Sequence, residues 1–424
     1  MTATTDQQTD RGLSLQPFRG LRPRVDSERL GRLLCPPYDV IDPATRERLL
    51  AADADNAVAV VLPEPTAEGY AEAAERLAGW VSSGLYAVDD EPTLYVYELR
   101  DHTGATTRGL LGAVELRPAE DGVILPHENT MAGPVADRLE VMTATGADLE
   151  PIYLVYDGGG PASELLRSVD NQPAVAETVT PDGLRHRLWA ITDSAAHRTV
   201  SDDLASRRAL IADGHHRYAT YQERQRRQRA TDGPGPWDRG LALVVDSSEY
   251  GPQVHAIHRL LHGITLTETV ERLSGWAEVT PVDAPLGRTL DELGDRAQFT
   301  AILSDGAHAY LVSDDEHRLA DAAARPGAVD ALTELDVTVA HRGLVERALR
   351  LADDEANVGY AHSLEEAVAE ARENGGVALL LRPTPVAAVA AVAAAGARMP
   401  RKSTLFTPKP ASGLVMRRLA DQSG

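Results

Sequence analysis

The sequence has a single cysteine and no long apolar run, and each absence removes a class of protein. Cys35 stands alone among 424 residues, which excludes a disulfide framework and leaves a thiolate zinc site without enough ligands. No stretch approaches the roughly 18 apolar residues that a membrane-spanning helix needs. The longest run, Val386 to Ala397, is mostly alanine and predicts a packed helix. We therefore expect a globular protein of the reducing cytoplasm with no membrane partner.

Positive charge is also in short supply. The chain carries 42 basic and 64 acidic side chains, a formal net charge of −22, and this excess repels a polyanion. Nucleic acid is therefore not an expected partner. The one basic cluster, Arg224 to Arg229, is interpreted as a solvated helix face. The Gly-x-x-x-x-Gly-Lys-Ser/Thr pattern is missing, which excludes an ordinary P-loop kinase.

The chain is too long for one ordinary core, because single cores stop growing near about 250–300 residues. We predict a disordered tail at 1–14, since it lacks the apolar segment of a signal peptide, an N-terminal α/β segment at 15–117, a core at 118–257 and a C-terminal α/β segment at 258–424. Apolar periodicity predicts helices at 45–51, 67–82, 201–208 and 221–229, and strands at 57–62, 93–98, 108–115, 151–156, 209–212, 240–245, 301–303, 309–312 and 413–416. This order favours an α/β (mixed α+β) fold with mixed sheets over a regular βαβ series.

The most informative motif is Asp-Gly-His-His-Arg at 213–217. It stands between the apolar run at 209–212 and a polar segment that is expected to be a helix. A strand that runs through these residues into a helix places backbone amides, two imidazoles and a guanidinium at a helix N-terminus, where anions bind well. Gly214 would let the backbone approach an anion or adopt a positive φ. The motif therefore predicts an anion site, with phosphate as the first candidate.

A second motif, Pro126-His127-Glu128, completes a set of groups suited to phosphoryl transfer. Such a reaction needs donors around the phosphates, a carboxylate for a metal ion and a carboxylate that takes a proton from the attacking hydroxyl. Other interpretations stay open. Asp213 is also a good N-cap, and either His215 or His216 is equally suited to a buried, hydrogen-bonded position. Glu128 is equally suited to an exposed surface position, and Arg217 to a local ion pair.

Three further candidates carry weaker signals. Cys35 is either a nucleophile or a small buried residue, and Tyr38 and Asp39 either line a pocket or form a turn. The cluster Arg401-Lys402-Ser403-Thr404 with Lys409 is either an exposed basic loop or a segment that closes over a phosphate. A metal site built by His127, Glu128, His215 and His216 is the chemical rival, but its spacing matches neither His-Glu-x-x-His nor a cysteine finger.

Four motifs together resemble one bacterial family. They are Cys-Pro-Pro-Tyr-Asp-Val-Ile at 35–41, Leu-Pro-His-Glu-Asn-Thr at 125–130, Ala-Asp-Gly-His-His-Arg-Tyr at 212–218 and Met-Pro-x-Lys-Ser-Thr at 399–404. Together they look like DUF1015, a family long labelled as a domain of unknown function. The central portion is similar to the ParB/sulfiredoxin-like fold, in which free-serine kinases pair an upstream His-Glu with an Asp-Gly-His-His-Arg box.

The resemblance implies a function and a role for each matching residue. Glu128 would be the base for the serine hydroxyl and Asp213 the second acidic residue and metal ligand, while the nucleotide would be bound by Gly214, His215, His216 and Arg217. We also expect His127 and Lys402 to bind the nucleotide, although the segment that carries Lys402 has no counterpart in those kinases. The implied reaction transfers a phosphoryl group from ATP or ADP, with Mg²⁺, to a small hydroxyl compound, first of all free L-serine.

The alternatives are a ParB-like nucleotide-binding regulatory protein and a metal-dependent hydrolase. This chain is much longer than a minimal kinase of that kind, and a homo-oligomer is left open.

Overall fold

The computed structural model describes residues 12–294 and 298–422, which form two compact units. Unit 1 comprises residues 12–126, 130–252 and 408–422, and unit 2 comprises the described residues of 127–129 and 253–407. Residues 1–11 of the predicted tail lie outside the described residues. The rest of that tail is ordered, because Leu13 is buried and its amide donates to the Arg207 carbonyl at 2.9 Å.

Strands and helices alternate along the chain without a regular repeat. The strands are β1 (Leu15–Gln16), β2 (Leu21–Pro23), β3 (Tyr86–Val88), β4 (Leu94–Arg100), β5 (Thr106–Glu115), β6 (Ile124–Leu125), β7 (Ala147–Asp148), β8 (Ile152–Tyr156), β9 (Ala176–Val179), β10 (Arg185–Ile191), β11 (Ala209–Asp213), β12 (Arg239–Asp246), β13 (Gln253–His255), β14 (His258–Leu261), β15 (Glu278–Pro281), β16 (Thr300–Ser304), β17 (Ala309–Ser313), β18 (Val358–Ala361), β19 (Val377–Leu380), β20 (Leu405–Thr407) and β21 (Arg417–Arg418). The helices are α1 (Ser27–Leu33), α2 (Pro43–Ala52), α3 (Val58–Val61), α4 (Ala67–Ser82), α5 (Ala132–Thr145), α6 (Pro161–Ser168), α7 (Ser194–Leu204), α8 (His215–Asp232), α9 (Leu266–Leu273), α10 (Leu286–Leu293), α11 (Arg318–Ala323), α12 (Asp330–Thr333), α13 (Asp336–Thr338), α14 (Leu364–Asn374) and α15 (Val386–Ala394), with a π-helix over Val339–Ala348.

Unit 1 is built on a nine-stranded mixed sheet. Its order is β6, β11, β8, β12, β5, β4, β10, β9, and β1 pairs with β5. The pairs β6–β11 and β8–β12 are parallel, whereas the other neighbours are antiparallel. Every residue of β8 and β11 is buried, as expected for strands that are covered on both faces. The mixed α/β class that the sequence predicts is confirmed.

The predicted division between residues 117 and 118 does not separate two bodies. Strand β5, from the first predicted segment, is hydrogen-bonded to β12, which pairs in turn with β8. Both segments therefore share one sheet. The predicted segment 258–424 is also divided, because residues 408–422 belong to unit 1, where β21 pairs with β7 and Ser412 forms a bridge with Cys35.

Two predicted strands are wrong. The apolar run at 57–62 is typical of a strand, but it forms the short helix α3, because the Asn56 side chain accepts the Val58 amide at 2.9 Å and donates to the Arg32 and Leu34 carbonyls at 2.7 and 2.9 Å. The run at 413–416 contains bends and a bridge between Met416 and Leu21, and the strand is confined to β21. By contrast, α4 has the predicted bounds, with Thr66 capping its first turn.

Unit 2 contains a six-stranded antiparallel sheet of order β15, β17, β16, β19, β14, β18 and a two-stranded ribbon of β13 and β20. The strands predicted at 301–303 and 309–312 are confirmed as β16 and β17. The alanine-rich run forms α15, as expected. No described helix, within 12–294 or 298–422, is long and apolar enough to cross a membrane.

Candidate functional site

The Asp-Gly-His-His-Arg motif lies where a strand of unit 1 becomes a helix, as the sequence predicts. Strand β11 ends at Asp213, Gly214 has a φ of 92°, and α8 begins at His215. The pairing of β11 with β8 is irregular between Ile211 and Asp213, and such a break re-aims the residues that follow it. Gly214 is the N-cap of α8, so Asp213 is not the cap and no N-cap side chain covers the first amides.

Arg217 is turned into unit 1 and is only 1 % exposed. Its guanidinium donates to the carboxylate of Asp213 and to the carbonyl of Pro151. Burial alone would lower the pKa of Arg217, but the charges of Asp213, Glu150 and Asp39 outweigh it and raise the pKa. The local ion pair left open by the sequence is therefore present, and this geometry differs from the predicted direct contact with phosphate.

Lys409, from the C-terminal segment of unit 1, completes a group of charges that we call the Asp213 cluster: Asp213, Arg217, Lys409 and Asp39. The Lys409 ammonium lies 2.5 Å from Asp213 Oδ1 and 3.4 Å from Asp39 Oδ2. Burial lowers the pKa of Lys409, but the two carboxylates outweigh it and the pKa is raised. Burial likewise raises the pKa of Asp39, but Lys409 and Arg217 outweigh it and the pKa is lowered. Both groups are therefore charged near neutral pH.

A buried carboxylate supports this cluster from within unit 1. Glu150 accepts the Tyr38 amide at 3.0 Å and the Ser412 hydroxyl at 2.9 Å. Burial raises its pKa, and Arg217 and Arg138 oppose that shift. Glu150 thereby joins the Cys-Pro-Pro-Tyr-Asp motif to the C-terminal segment. Cys35 is buried as well, and burial raises the pKa of its thiol, so it fits the structural interpretation better than that of a nucleophile.

The two histidines of the motif lie in different surroundings. His215 is buried, 7 % exposed, whereas His216 is half-buried. The Nε2 atom of His216 accepts the Met131 amide at 3.1 Å. This contact fixes the imidazole of His216 against the residues that precede α5.

The His-Glu pair of the second predicted motif belongs to unit 2, whereas Pro126 belongs to unit 1. His127 is buried, its Nε2 lies 3.0 Å from the Thr404 hydroxyl, and its carbonyl accepts the Met399 amide at 2.9 Å. Glu128 has a side chain that is 33 % exposed, with Oε1 4.0 Å from His127 Nε2. The exposed Lys402 has a φ of 53°, and its carbonyl accepts Arg259 Nη2 at 2.9 Å.

The four sequence motifs are therefore brought together in pairs. In unit 1 the motif at 35–41 meets the motif at 212–218 through the Asp39–Lys409–Asp213 contacts. In unit 2, residues 127–129 of the motif at 125–130 meet the motif at 399–404 through His127. Among residues 12–294 and 298–422, no group of three or more His, Cys, Asp or Glu side chains is placed to hold a metal ion.

A family model described as "Protein of unknown function (DUF1015)" matches residues 15–338. The chain belongs to the DUF1015 family. The predicted membership is confirmed over three quarters of the sequence. No curated protein matches this DUF1015 chain significantly.

Several solved structures are similar to this DUF1015 protein. A conserved hypothetical protein from Pyrococcus furiosus is 17% identical, with 71% of this chain and 94% of that chain covered and a TM-score of 0.34. A mutant free serine kinase in complex with ADP is 14% identical, with coverages of 67% and 84% and a TM-score of 0.35. SbnI with a C-terminal truncation, from Staphylococcus aureus, is 12% identical, with coverages of 73% and 88% and a TM-score of 0.35.

The sequence patterns indicated no role for Glu150 and only weak ones for Asp39 and Lys409. A signal for Lys409 was present, because the chain contains 40 arginines and only two lysines, Lys402 and Lys409. No comparable signal marks Glu150, since its importance depends on burial that only the folded chain shows.

Proposed function

We propose that this DUF1015 protein is a nucleotide-dependent phosphotransferase that phosphorylates a small hydroxyl compound, first of all free L-serine. The observation that carries the proposal is the start of α8, where Gly214 leaves the first amides without an N-cap side chain beside Lys409 and Asp213. Helix N-termini of this kind favour phosphate through their amides and their dipole. The choice of serine is supported by the resemblance of the His-Glu and Asp-Gly-His-His-Arg motifs to those of free-serine kinases.

In this proposal the amides after Gly214, together with His215 and His216, receive the phosphates of ATP or ADP. Arg217 acts indirectly, because it holds the Asp213 carboxylate in place and does not itself contact the phosphates. The nucleotide-binding roles of His127 and Lys402 stay predictions from the sequence. Mg²⁺ typically binds proteins through one or two carboxylates together with substrate phosphates, and Asp213 with Asp39 fits that donor set. Bound Mg²⁺ would neutralise phosphate charge.

Glu128 is the proposed base for the acceptor hydroxyl. Its side chain is one third exposed, which suits a group that meets a diffusible substrate. It follows His127, whose backbone and ring are both fixed by contacts with residues 399–404. A general base contributes about 10²–10⁴-fold to the rate, so Glu128→Gln should lower turnover by that factor and leave nucleotide affinity unchanged.

The test is to incubate the full chain with Mg²⁺, ATP or ADP and a panel of free amino acids, and to detect the phosphorylated product by mass. Glu373→Gln, at an exposed position of α14, is the matched control and should be fully active. A fully active Glu128→Gln variant would remove the base assignment. If no acceptor is phosphorylated although the nucleotide binds, the ParB-like nucleotide-binding protein becomes the better description.

A further inference from the structure

We propose that Lys409 is the side chain that meets the phosphate at the start of α8, and that its contacts with Asp39 and Asp213 are its resting state. This inference rests on the proposed function and deepens it, because it names the cation of the phosphate site. Neither the family description nor the motif resemblance assigns a role to Lys409.

The residue type at position 409 is unusual for this chain. Among 42 basic side chains only two are lysines, so this chain uses arginine almost everywhere for surface charge and for ion pairs. An ammonium is a compact point charge with three donors on a flexible stem, whereas a guanidinium is a rigid planar fork. A lysine at this position therefore suits an ammonium that must change partners.

The backbone that carries Lys409 has little conformational freedom. Pro408 and Pro410 flank it, and proline fixes φ near about −65°. Directly afterwards the Ala411 amide donates to the Tyr97 hydroxyl at 3.1 Å, and the Ser412 amide donates to the Cys35 carbonyl at 2.8 Å. The main chain is thus anchored to unit 1. Any movement at this site is therefore a movement of the Lys409 side chain.

The two cations of the Asp213 cluster differ in exposure. Arg217 is buried and its guanidinium donates to Asp213 and Pro151. The Lys409 side chain is 15 % exposed, and the two carboxylates account for two of its three donors. An anion that approaches the start of α8 from solvent therefore meets the ammonium of Lys409 and not the guanidinium of Arg217.

The positive and negative charges of the Asp213 cluster balance each other. Asp39 and Asp213 contribute two negative charges, and Lys409 with Arg217 contributes two positive ones. Without Lys409 the cluster would be net negative and would repel a phosphate. Because charge-assisted hydrogen bonds are the strong ones, the effect of Lys409 on anion affinity should exceed that of an ordinary surface lysine.

The first experiment observes Lys409 directly in the unmodified protein. Selective ¹⁵N labelling of lysine gives one side-chain NMR signal for each of the two lysines, and Lys402→Arg assigns them. Addition of ADP, ATP or inorganic phosphate is expected to shift the Lys409 Nζ signal. An unchanged Lys409 signal with nucleotide bound, as shown by calorimetry on the same sample, would overturn the proposal.

The second experiment measures affinity. Lys409→Met should weaken ADP binding by about tenfold or more, the loss expected for a hydrogen bond to a charged group. Lys409→Arg should recover part of this affinity, since it restores the charge but not the ammonium geometry. Unchanged affinity in Lys409→Met would refute the role. If the wild-type protein binds neither ADP nor ATP, the proposed function fails on its own, and the titration with inorganic phosphate still tests Lys409.

Discussion

Asp213 and Asp148 of unit 1 have similar ion-pair partners but differ in exposure. Helix α8 carries Arg217 and, two turns later, Arg224, and each pairs with an aspartate that also contacts a cation from the C-terminal segment. One set is the Asp213 cluster. We call the other the Asp148 cluster: Asp148, Arg224 and Arg417. In it Asp148 is fully buried, with Arg224 Nη2 at 2.6 Å and Arg417 Nη1 at 2.9 Å.

The two clusters also differ in charge. The Asp148 cluster has two cations for one carboxylate, and burial lowers the pKa of Arg417 although Asp148 opposes the shift. In the Asp213 cluster two carboxylates match two cations, and the pKa of Lys409 is raised. The Asp39 side chain is 41 % exposed and Lys409 15 %, whereas both arginines of the Asp148 cluster are at most 3 % exposed. Ion pairs of the same kind therefore form a closed, fully buried cluster at Asp148 and an open, partly exposed cluster at Asp213.

The largest expected effect is on the closed cluster. Asp148→Asn leaves two buried arginines without their anion, and breaking a buried pair costs about 3–5 kcal/mol. Asp213→Asn should lower the free energy of unfolding less, by about 1–2 kcal/mol. Arg217 is still stabilised by the negative charges of Glu150 and Asp39, and Lys409 is partly exposed to solvent. Urea unfolding of both variants, followed by a spectroscopic signal from unit 1, compares their free energies of unfolding.

Catalysis should show the reverse order. Asp213→Asn should lose turnover at 20 °C, where both variants remain folded, while Asp148→Asn should retain it. Equal losses of stability in the two variants would contradict the distinction between a closed and an open cluster.

The next effect concerns pH and sets the conditions for that comparison. His186, 2 % exposed, lies 2.8 Å from the Tyr97 hydroxyl, the same hydroxyl that accepts the Ala411 amide beside Lys409. Burial lowers the pKa of His186 to about 4, although Asp182 opposes the shift. The unfolded state takes up a proton near pH 6.5 and the folded state does not, so the free energy of unfolding should fall between pH 6.5 and 4 by about 3 kcal/mol in all.

Urea unfolding at pH 7.5, 5.5 and 4.5 measures this slope. His186→Gln should flatten it, whereas His102→Gln, at an exposed turn, should leave it as in the wild type. A slope that survives in His186→Gln would assign the acid sensitivity to other groups. The two aspartate clusters are best compared above pH 7, where His186 is neutral in both states.

The sequence predictions were correct where the interactions are local and wrong where they join residues that are far apart in the chain. The junction at 213–217 was predictable because an apolar run, a glycine and a polar helix are local signals. The strand predicted at 57–62 was wrong because the Asn56 side chain, bonded to carbonyls of residues 32 and 34, organises a helical turn there. A local pattern contains no information on such a distant acceptor.

The site was predictable to the same extent. Arg217 and Asp213 are four residues apart, so their ion pair was an alternative that the sequence itself offered. Lys409 and Glu150 approach the site only through the return of residues 408–422 to unit 1, and neither the spacing nor the composition of the motif indicates that path.

The smallest expected effect tests the backbone of the open cluster. Gly214→Ala places a side chain at a φ of 92°, with its Cβ 3.1 Å from the Arg217 guanidinium carbon, and should cost about 1–2 kcal/mol. Gly146→Ala, at a φ of 61° after α5, is the matched control, because no described atom lies within 4 Å of its Cβ. It should cost about 1 kcal/mol and leave ADP affinity unchanged. Gly214→Ala should weaken ADP binding as well, because displaced Arg217 no longer holds Asp213 against Lys409. Calorimetry with ADP on both variants separates the two effects, and equal affinities would show that the position of Arg217 does not matter to the proposed phosphate site.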